Sequence, residues 1–431
     1  MDARDVSACM TRTFFLLALL SPLLCASAAN WPMWRGAHGD GTCEESGLSQ
    51  TWSQTENIAW KVALPDRGNS TPVIWGDKLF LTQAIEKEGK RLLLCFDKKT
   101  GKQLWDAGTI YKEQELTHAT NPYCAASPAT DGERVIAFFA SAGVFCYDLN
   151  GQLLWKRTDL GKQHHIWGNG TSPVIAGDRV FLNFGPGPKT TLYCFDKKTG
   201  KTLWEYQEPG GDSGEAGNKN WLGSWADPLL RKVGDHEELF MSYPGRVCAF
   251  DPASGRQRWT CEGLNKLVYN SPLFADGMVI GFGGYNGMGV AVKAGGVGDV
   301  TATHRVWLLP KVSQRIGSGV VHDGYHYILS DGGIVECRSL KDGTPVFQER
   351  LKGQNWSSLV LSADGLCYAA NQIGDCFVFK ASPKFELLAT NSLGEKIIGS
   401  IAVSDGHLFI RGYKNLWCIG RRQASTGPGL R

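Results

Sequence analysis

Three segments of this chain match almost residue for residue: Cys95-Phe-Asp-Lys-Lys-Thr-Gly-Lys-Gln-Leu-Trp105, Cys194-Phe-Asp-Lys-Lys-Thr-Gly-Lys-Thr-Leu-Trp204 and Ala249-Phe-Asp-Pro-Ala-Ser-Gly-Arg-Gln-Arg-Trp259. Looser copies run Cys146-Tyr-Asp-Leu-Asn-Gly-Gln-Leu-Leu-Trp155 and Cys337-Arg-Ser-Leu-Lys-Asp-Gly-Thr-Pro-Val-Phe347. Each reads as strand, turn, strand, with Asp and Gly supplying the turn chemistry. Upstream of each copy lies a second unit: a Ser-Pro-like start, an apolar strand, a Gly-Asp or Asp-Gly turn and another apolar strand. Thr171-Ser-Pro-Val-Ile-Ala-Gly-Asp-Arg-Val-Phe-Leu182 is an example. At 431 residues the chain exceeds the size at which a single core stops growing, and the repeats decide for an array over separate domains.

Joined, the two units make a four-stranded antiparallel meander. Units start near Thr71, Ser127, Ser172, Asp227, Ser271, Ser318, Ser358 and Ser400, a spacing of about 40 to 56 residues that matches propeller blades. The sequence therefore predicts an all-β, eight-bladed β-propeller of four-stranded antiparallel blades. The last unit stops at Leu416-Trp-Cys-Ile-Gly420, one strand short. The segment from Glu56 to Ala63, centred on Trp60, has the missing character, and pairing it there would remove two exposed sheet edges. Abundant Gly and aromatic residues with only 20 % charged residues suit short strands and tight turns, not long surface helices. Trp60, Trp105, Trp155, Trp204, Trp259, Trp307 and Phe347 are expected between neighbouring blades, each worth ~2–3 kcal/mol when buried. Cys95, Cys146, Cys194, Cys337 and Cys418 share one register. Blade packing would hold such copies on the order of 10 Å apart, too far for disulfides. They read as small buried hydrophobes standing where Ala249 stands in its own unit.

Residues 1–29 read as a signal peptide: Met10-Thr-Arg12, an apolar run from Phe14 to Leu24, then Ala26-Ser-Ala-Ala29, with cleavage after Ala28 or Ala29. Asp2 and Asp5 suit a basic leader poorly, which leaves Met1 and Met10 as alternative starts. Cys25 lacks the small preceding residue of a lipid-anchor site. Residues 30–55 form an N-terminal extension, 56–422 the propeller and 423–431 a disordered tail. An exported protein, periplasmic or extracellular, follows from the leader. No later run of about 20 apolar residues predicts a membrane span. A net charge of +3 without long Lys/Arg runs argues against nucleic acid. A monomer is the default expectation.

The Ala/Cys-x-Asp-x-x-Thr-Gly-x-x-x-Trp units resemble the tryptophan-docking repeats of the exported pyrroloquinoline-quinone-like (PQQ-like) propellers, which include the assembly factor BamB and the quinoprotein alcohol dehydrogenases. Trp31-Pro-Met-Trp-Arg-Gly-Ala-His-Gly-Asp-Gly41 and the stretch from Ala291 to Trp307 are similar to a bacterial subgroup of such proteins. The resemblance implies either a non-catalytic binding or scaffold module or a PQQ-dependent alcohol or sugar dehydrogenase. Those dehydrogenases are longer, carry a vicinal disulfide against the quinone and hold calcium through Glu, Asn and Asp. Here no two cysteines are adjacent and no Cys-x-x-Cys-His would attach haem. The binding module is favoured, with a protein partner or small polar ligand and no cofactor; PQQ with calcium is the alternative.

In a propeller the segments leading into the innermost strands converge at the channel mouth. Those segments supply His118, Asn121, His164, His165, Trp167 and Asn169, then Trp221, Trp225, Asn265, Tyr269 and Asn270, and finally Arg315, Asn355, Trp356 and Lys396. Aromatics, amides and imidazoles together can stack on and hydrogen-bond a small ligand; the competing reading is that they satisfy one another and water. Adjacent His164 and His165 point to opposite faces of an extended segment, so no metal site is expected. Asp227 is the one acid placed as a general base, against the more economical role of a strand-start cap. The stretch from Gly281 to Gly289 has no helix after it and is a flexible hairpin rather than a dinucleotide loop.

Overall fold

The computed structural model describes residues 29–187, 189–208, 222–313 and 316–421. The predicted signal peptide up to residue 28, Cys25 with it, the tail from residue 423 and the candidates Trp221 and Arg315 lie outside the described residues. Within them the chain forms eight four-stranded antiparallel sheets arranged as a propeller, and its helical content among the described residues is two three-residue 3-10 turns. Blade 1 runs outward from Val73–Trp75 to Gln103–Ile110. Blades 2 to 7 begin at Ala129, Val174, Leu229, Leu273, Val320 and Val360. Blade 8 contributes Ala402–Ser404, His407–Arg411 and Asn415–Ile419, and its outer strand is Ile58–Ala63, with Trp60 opposite Cys418.

The structure gives the repeat motif a physical meaning. In each copy the small residue stands directly across from the aromatic: Cys95 from Trp105, Cys146 from Trp155, Cys194 from Trp204, Ala249 from Trp259 and Cys337 from Phe347. The indole leans away onto the next blade. Trp60 Nε1 donates to the Lys98 carbonyl at 2.9 Å, Trp105 to Leu149 at 3.2 Å, Trp155 to Lys197 at 2.8 Å and Trp204 to Pro252 at 3.0 Å. Each acceptor lies in the following blade's turn. That turn is itself fixed by its Asp and Thr: Asp97 Oδ1 accepts from the Thr100 N–H at 2.8 Å and the Thr100 hydroxyl at 2.7 Å. Its glycine is required twice over. Gly101, Gly151, Gly200 and Gly255 have φ between 71° and 85°, and a Cβ there would come within 2.5–2.9 Å of the docked indole. The motif is a socket, and the N-terminal strand's Trp60 fills the socket of blade 1.

Blade 5 lacks this socket. Trp259 instead donates to Glu238 Oε2 of its own blade at 2.9 Å, and Gly298–Asp299 returns to pair in parallel with the outer strand of blade 4. All eleven described cysteines are free, and burial holds the thiols of Cys95 and Cys337 up at about 12 and about 11, so they remain protonated.

Two features define the axis. At the eight blade starts each backbone N–H donates to the side-chain oxygen of the next start: Thr71 to Ser127, then Ser172, Asp227, Ser271, Ser318, Ser358, Ser400 and back to Thr71, at 2.6–3.3 Å. This closed girdle has seven hydroxyls and one carboxylate. Below it, the N-terminal extension crosses the channel. Trp31 pairs with Ile74 of blade 1, the Thr130 N–H of blade 2 donates to the Pro32 carbonyl at 2.8 Å, and the Cys43 N–H donates to the Leu361 carbonyl of blade 7 at 3.0 Å. Between these anchors the buried Arg35 guanidinium donates to the carbonyls of Leu359 at 2.9 Å, Gly319 at 2.5 Å and Asp40 at 2.5 Å. The extension is a plug.

Candidate functional site

Above the girdle lies a cavity of about 370 Å³, reaching from Tyr285 at the rim to the hydroxyls of Ser127, Ser172 and Ser400 and to the Trp34 ring of the plug. One side is a continuous row of rings: His118 on Trp167 at 5.0 Å between centroids, Trp167 to Tyr285 at 6.3 Å, Tyr285 to Tyr269 at 5.8 Å and Tyr269 to Trp225 at 4.7 Å. Trp356, leading into blade 7, stands across the channel from Trp167, which leads into blade 3. The row is braced from behind. Gly223–Ser224 pairs in parallel with Leu267–Val268, which sets Trp225 beside Tyr269, and Trp225 Nε1 donates to the Gly168 carbonyl at 2.8 Å.

Of the candidates read from the sequence, His118, Asn121, Trp167, Trp225, Tyr269 and Trp356 line this cavity. The other candidates among the described residues are not on its lining. His165 is buried with its ring edge-on to Trp225 at 4.8 Å, and His164 is half-buried off the lining. The amides are scaffolding: Asn121 Nδ2 donates to the Trp167 and Asn169 carbonyls, Asn169 Nδ2 to Gly185, Asn270 Nδ2 to Ile316 and Gly317, and Asn355 Nδ2 to Leu329 and Ser357. Lys396 lies over the Tyr413 ring at 5.3 Å. Asn265 Nδ2 donates to the Gly284 carbonyl, and a Cβ on Gly283 or Gly287 would collide with that side chain. The glycine-rich hairpin is thus held tightly, by close approach of Asn265.

Residues 47–182 and 188–302, more than half of the chain, match the family model described as outer membrane protein assembly factor BamB. The chain belongs to the BamB family. Among solved structures, BamB from Moraxella catarrhalis is similar at 12 % identity with a TM-score of 0.58, covering 86 % of this chain and 99 % of that one. A quinohemoprotein alcohol dehydrogenase from Comamonas testosteroni has 10 % identity and a TM-score of 0.69, covering 94 % and 82 %, and a europium-containing methanol dehydrogenase 12 % and 0.65, covering 90 % of each. At these identities the likeness shows the shared fold alone. No curated protein sequence matches the chain.

Among the eight blade starts of this BamB-family propeller the acid is Asp227, held in the girdle. Asp227 Oδ1 accepts from the Ser172 N–H at 2.6 Å, and burial pushes its carboxyl up to about 8, against the opposing pull of the Ser172 bonds and the Arg35 charge. It faces Arg35 in a small void beneath the girdle rather than the large cavity. A calcium-bound quinone fits the lining poorly. Hard cations take six to eight oxygens rich in carboxylate, whereas the described lining offers amides, hydroxyls and rings, and no cluster of three His, Cys, Asp or Glu residues occurs among the described residues.

Sequence reasoning missed Trp34, Asn69, Thr120 and Tyr285 on the lining. Trp34 sits in the Trp31–Gly41 motif, which gave no hint that it reaches the axis. Tyr285 carried a signal in hindsight: an aromatic and Asn286 within a glycine run, both with φ near 55°, a left-handed turn that presents the ring to the mouth.

Proposed function

We propose that this propeller is an exported, non-catalytic binding module that takes a small polar or aromatic ligand, or a side chain of a protein partner, in the channel mouth. The observation that carries the reading is the form of the cavity: aromatic walls, amides used as bracing, a floor closed by Trp34, and the acid Asp227 committed to the girdle below. Such a site binds by stacking and shape, and the carboxyl of Asp227 is not offered to a bound molecule. Membership of the BamB family supports a role in the cell envelope, and no helix among the described residues is long and apolar enough to cross a membrane.

The second reading, a quinone-dependent oxidoreductase, draws on the fold shared with the alcohol and methanol dehydrogenases and on the indoles of Trp167 and Trp356 that line the cavity. Incubation of the purified protein with PQQ and Ca²⁺, followed by gel filtration, absorbance and a dye-linked alcohol oxidation assay, separates the two. The binding module predicts no retained quinone and no dye reduction. A stoichiometric quinone band with turnover would replace it by the oxidoreductase.

A further inference from the structure

The outer strand of a blade leaves a row of backbone N–H and C=O groups unpaired, and native sheets guard such edges with charges, proline, short length or a cover. Seven outer strands here carry such a device. Gly298–Asp299 covers blade 4, and the amide of Asn391 in blade 7 is tied to the extension at Gln50 and Trp52. Blade 2 has Lys156 and Arg157 in its outer strand, blade 5 Arg305, blade 6 Pro345 and blade 8 Lys61, while the six-residue strand of blade 3 carries Glu205. The outer strand of blade 1, Gln103–Ile110, departs from all of these. It has eight residues where the others have five or six, contains no Lys, Arg or Pro, and leaves Leu104 and Ile110 45 % and 62 % exposed. No strand of the described residues pairs with its outer side. We propose that this edge pairs, antiparallel and about a two-fold axis, with the same edge of a second copy of the chain, in place of the monomer expected from the sequence.

The strand is complementary to itself in one register. The Tyr111 N–H donates inward to the Gly89 carbonyl at 2.7 Å, so by the alternation of an antiparallel pair the backbone groups of Asp106, Gly108 and Ile110 point to the free edge. A two-fold axis at Ala107 sets Asp106 opposite Gly108 of the second copy, and Ile110 opposite its Leu104, which sits at the bulge before Trp105. Each pairing occurs twice by symmetry. Aliphatic then meets aliphatic, and the acid meets a residue without a side chain. Centring the axis on Asp106 instead sets two like charges face to face, and centring it on Gly108 leaves Leu104 opposite Lys112. Lys102 and Lys112 lie just beyond the two ends of the strand and bound the pairing. One strand per copy makes a small interface, below about 1,200 Å², so the dimer is weak and depends on concentration.

Sedimentation velocity on the purified protein, from about 1 to about 500 μM to span weak association, tests this. A shift from one to two chain masses is expected across that range, and Ile110→Lys, at an exposed position, should weaken the dimer roughly tenfold while melting with the parent. Cysteine pairs read the register. Ala107 of the two copies would face each other as a non-hydrogen-bonded pair, with Cα atoms about 4.5 Å apart, close enough for a disulfide. Thr109 of the two copies would stand on the order of 13 Å apart. Mild oxidation should therefore cross-link Ala107→Cys into a dimer and leave Thr109→Cys and the parent uncross-linked, since the described native cysteines are buried apart from the half-buried Cys43. A single chain mass at every concentration overturns the proposal. So does a dimer that Ile110→Lys leaves intact, or one that cross-links through Thr109→Cys and not through Ala107→Cys.

Discussion

The outer rim of the propeller and its channel mouth are both built on tryptophan, and they use it in opposite ways. At the rim, Trp60, Trp105, Trp155 and Trp204 repeat one geometry, each indole buried on the next blade's turn with its N–H on a backbone carbonyl. At the mouth, Trp34, Trp167, Trp225 and Trp356 each come from a different local structure and keep a face toward the cavity. Repetition marks what holds blades together, because every blade faces the same packing problem. Departure from repetition marks what the mouth recognises, because a ligand without eightfold symmetry needs a wall that lacks it too.

The comparison is broken most directly by removing one rim indole. Trp60→Ala empties the socket of blade 1 and loosens the strand that completes blade 8, so a loss of about 3–5 kcal/mol is expected, read as a lower urea midpoint. Truncation of a mouth indole such as Trp167 should cost far less. Equal losses at the two positions would show that rim and mouth are one packing unit.

The girdle offers a second contrast, between seven hydroxyls and Asp227. Burial lifts its carboxyl from 3.8 to about 8. The folded chain therefore holds a proton that the unfolded chain releases between those values. Below about pH 4 both states are protonated and the group contributes nothing; as pH rises toward about 8 stability falls, by at most about 1.4 kcal/mol per pH unit. Asp227→Ser keeps an oxygen for the Ser172 N–H, removes the titration, and leaves Asp40 beside Arg35. Urea melts at about pH 5 and about pH 8 should show the parent losing stability and the variant holding it. Parallel losses would place the titration elsewhere.

What the sequence could say follows the same division. The blade starts read from Thr71 to Ser400 are the very residues of the girdle, and the aromatic and small residues of the motif stand opposite each other across one strand pair. Both are local patterns repeated at a fixed period, and such patterns are visible without coordinates. Trp34 and Arg35 belong to no repeat, and their place under the girdle depends on how the extension crosses a ring closed by residues some three hundred positions downstream. The amides illustrate a different limit: type and position placed Asn121 and Asn270 at the mouth, but only the folded backbone shows that their N–H groups are used on carbonyls.

Plugged and open ends of the channel can be separated through Arg35. Its planar fork reaches carbonyls of blades 6 and 7 and of its own segment at once, a geometry that a lysine ammonium, with its donors on one atom, cannot reproduce. Arg35→Lys should lose ~1–3 kcal/mol through the carbonyls left unpaired, visible as a lower melting temperature. A melt unchanged from the parent would mean that the plug is held by its backbone anchors at Ile74, Thr130 and Leu361 without Arg35.

The smallest expected effect has the opposite sign. Tyr285 holds φ at 54° in the hairpin at the rim, a left-handed conformation that a side chain disfavours, and its ring is more than a third exposed. Glycine adopts that conformation freely but adds freedom to the unfolded chain, and the two effects nearly balance. Tyr285→Gly should therefore leave stability unchanged or raise it by up to about 1 kcal/mol, while removing the ring that links Trp167 to Tyr269 and weakening whatever the mouth holds. A variant as stable as the parent and poorer in binding would mean that the strained turn is kept for the ring it presents. A clear loss of stability would mean instead that Tyr285 is a packing residue, and the boundary between rim and mouth would have to be drawn closer to the cavity.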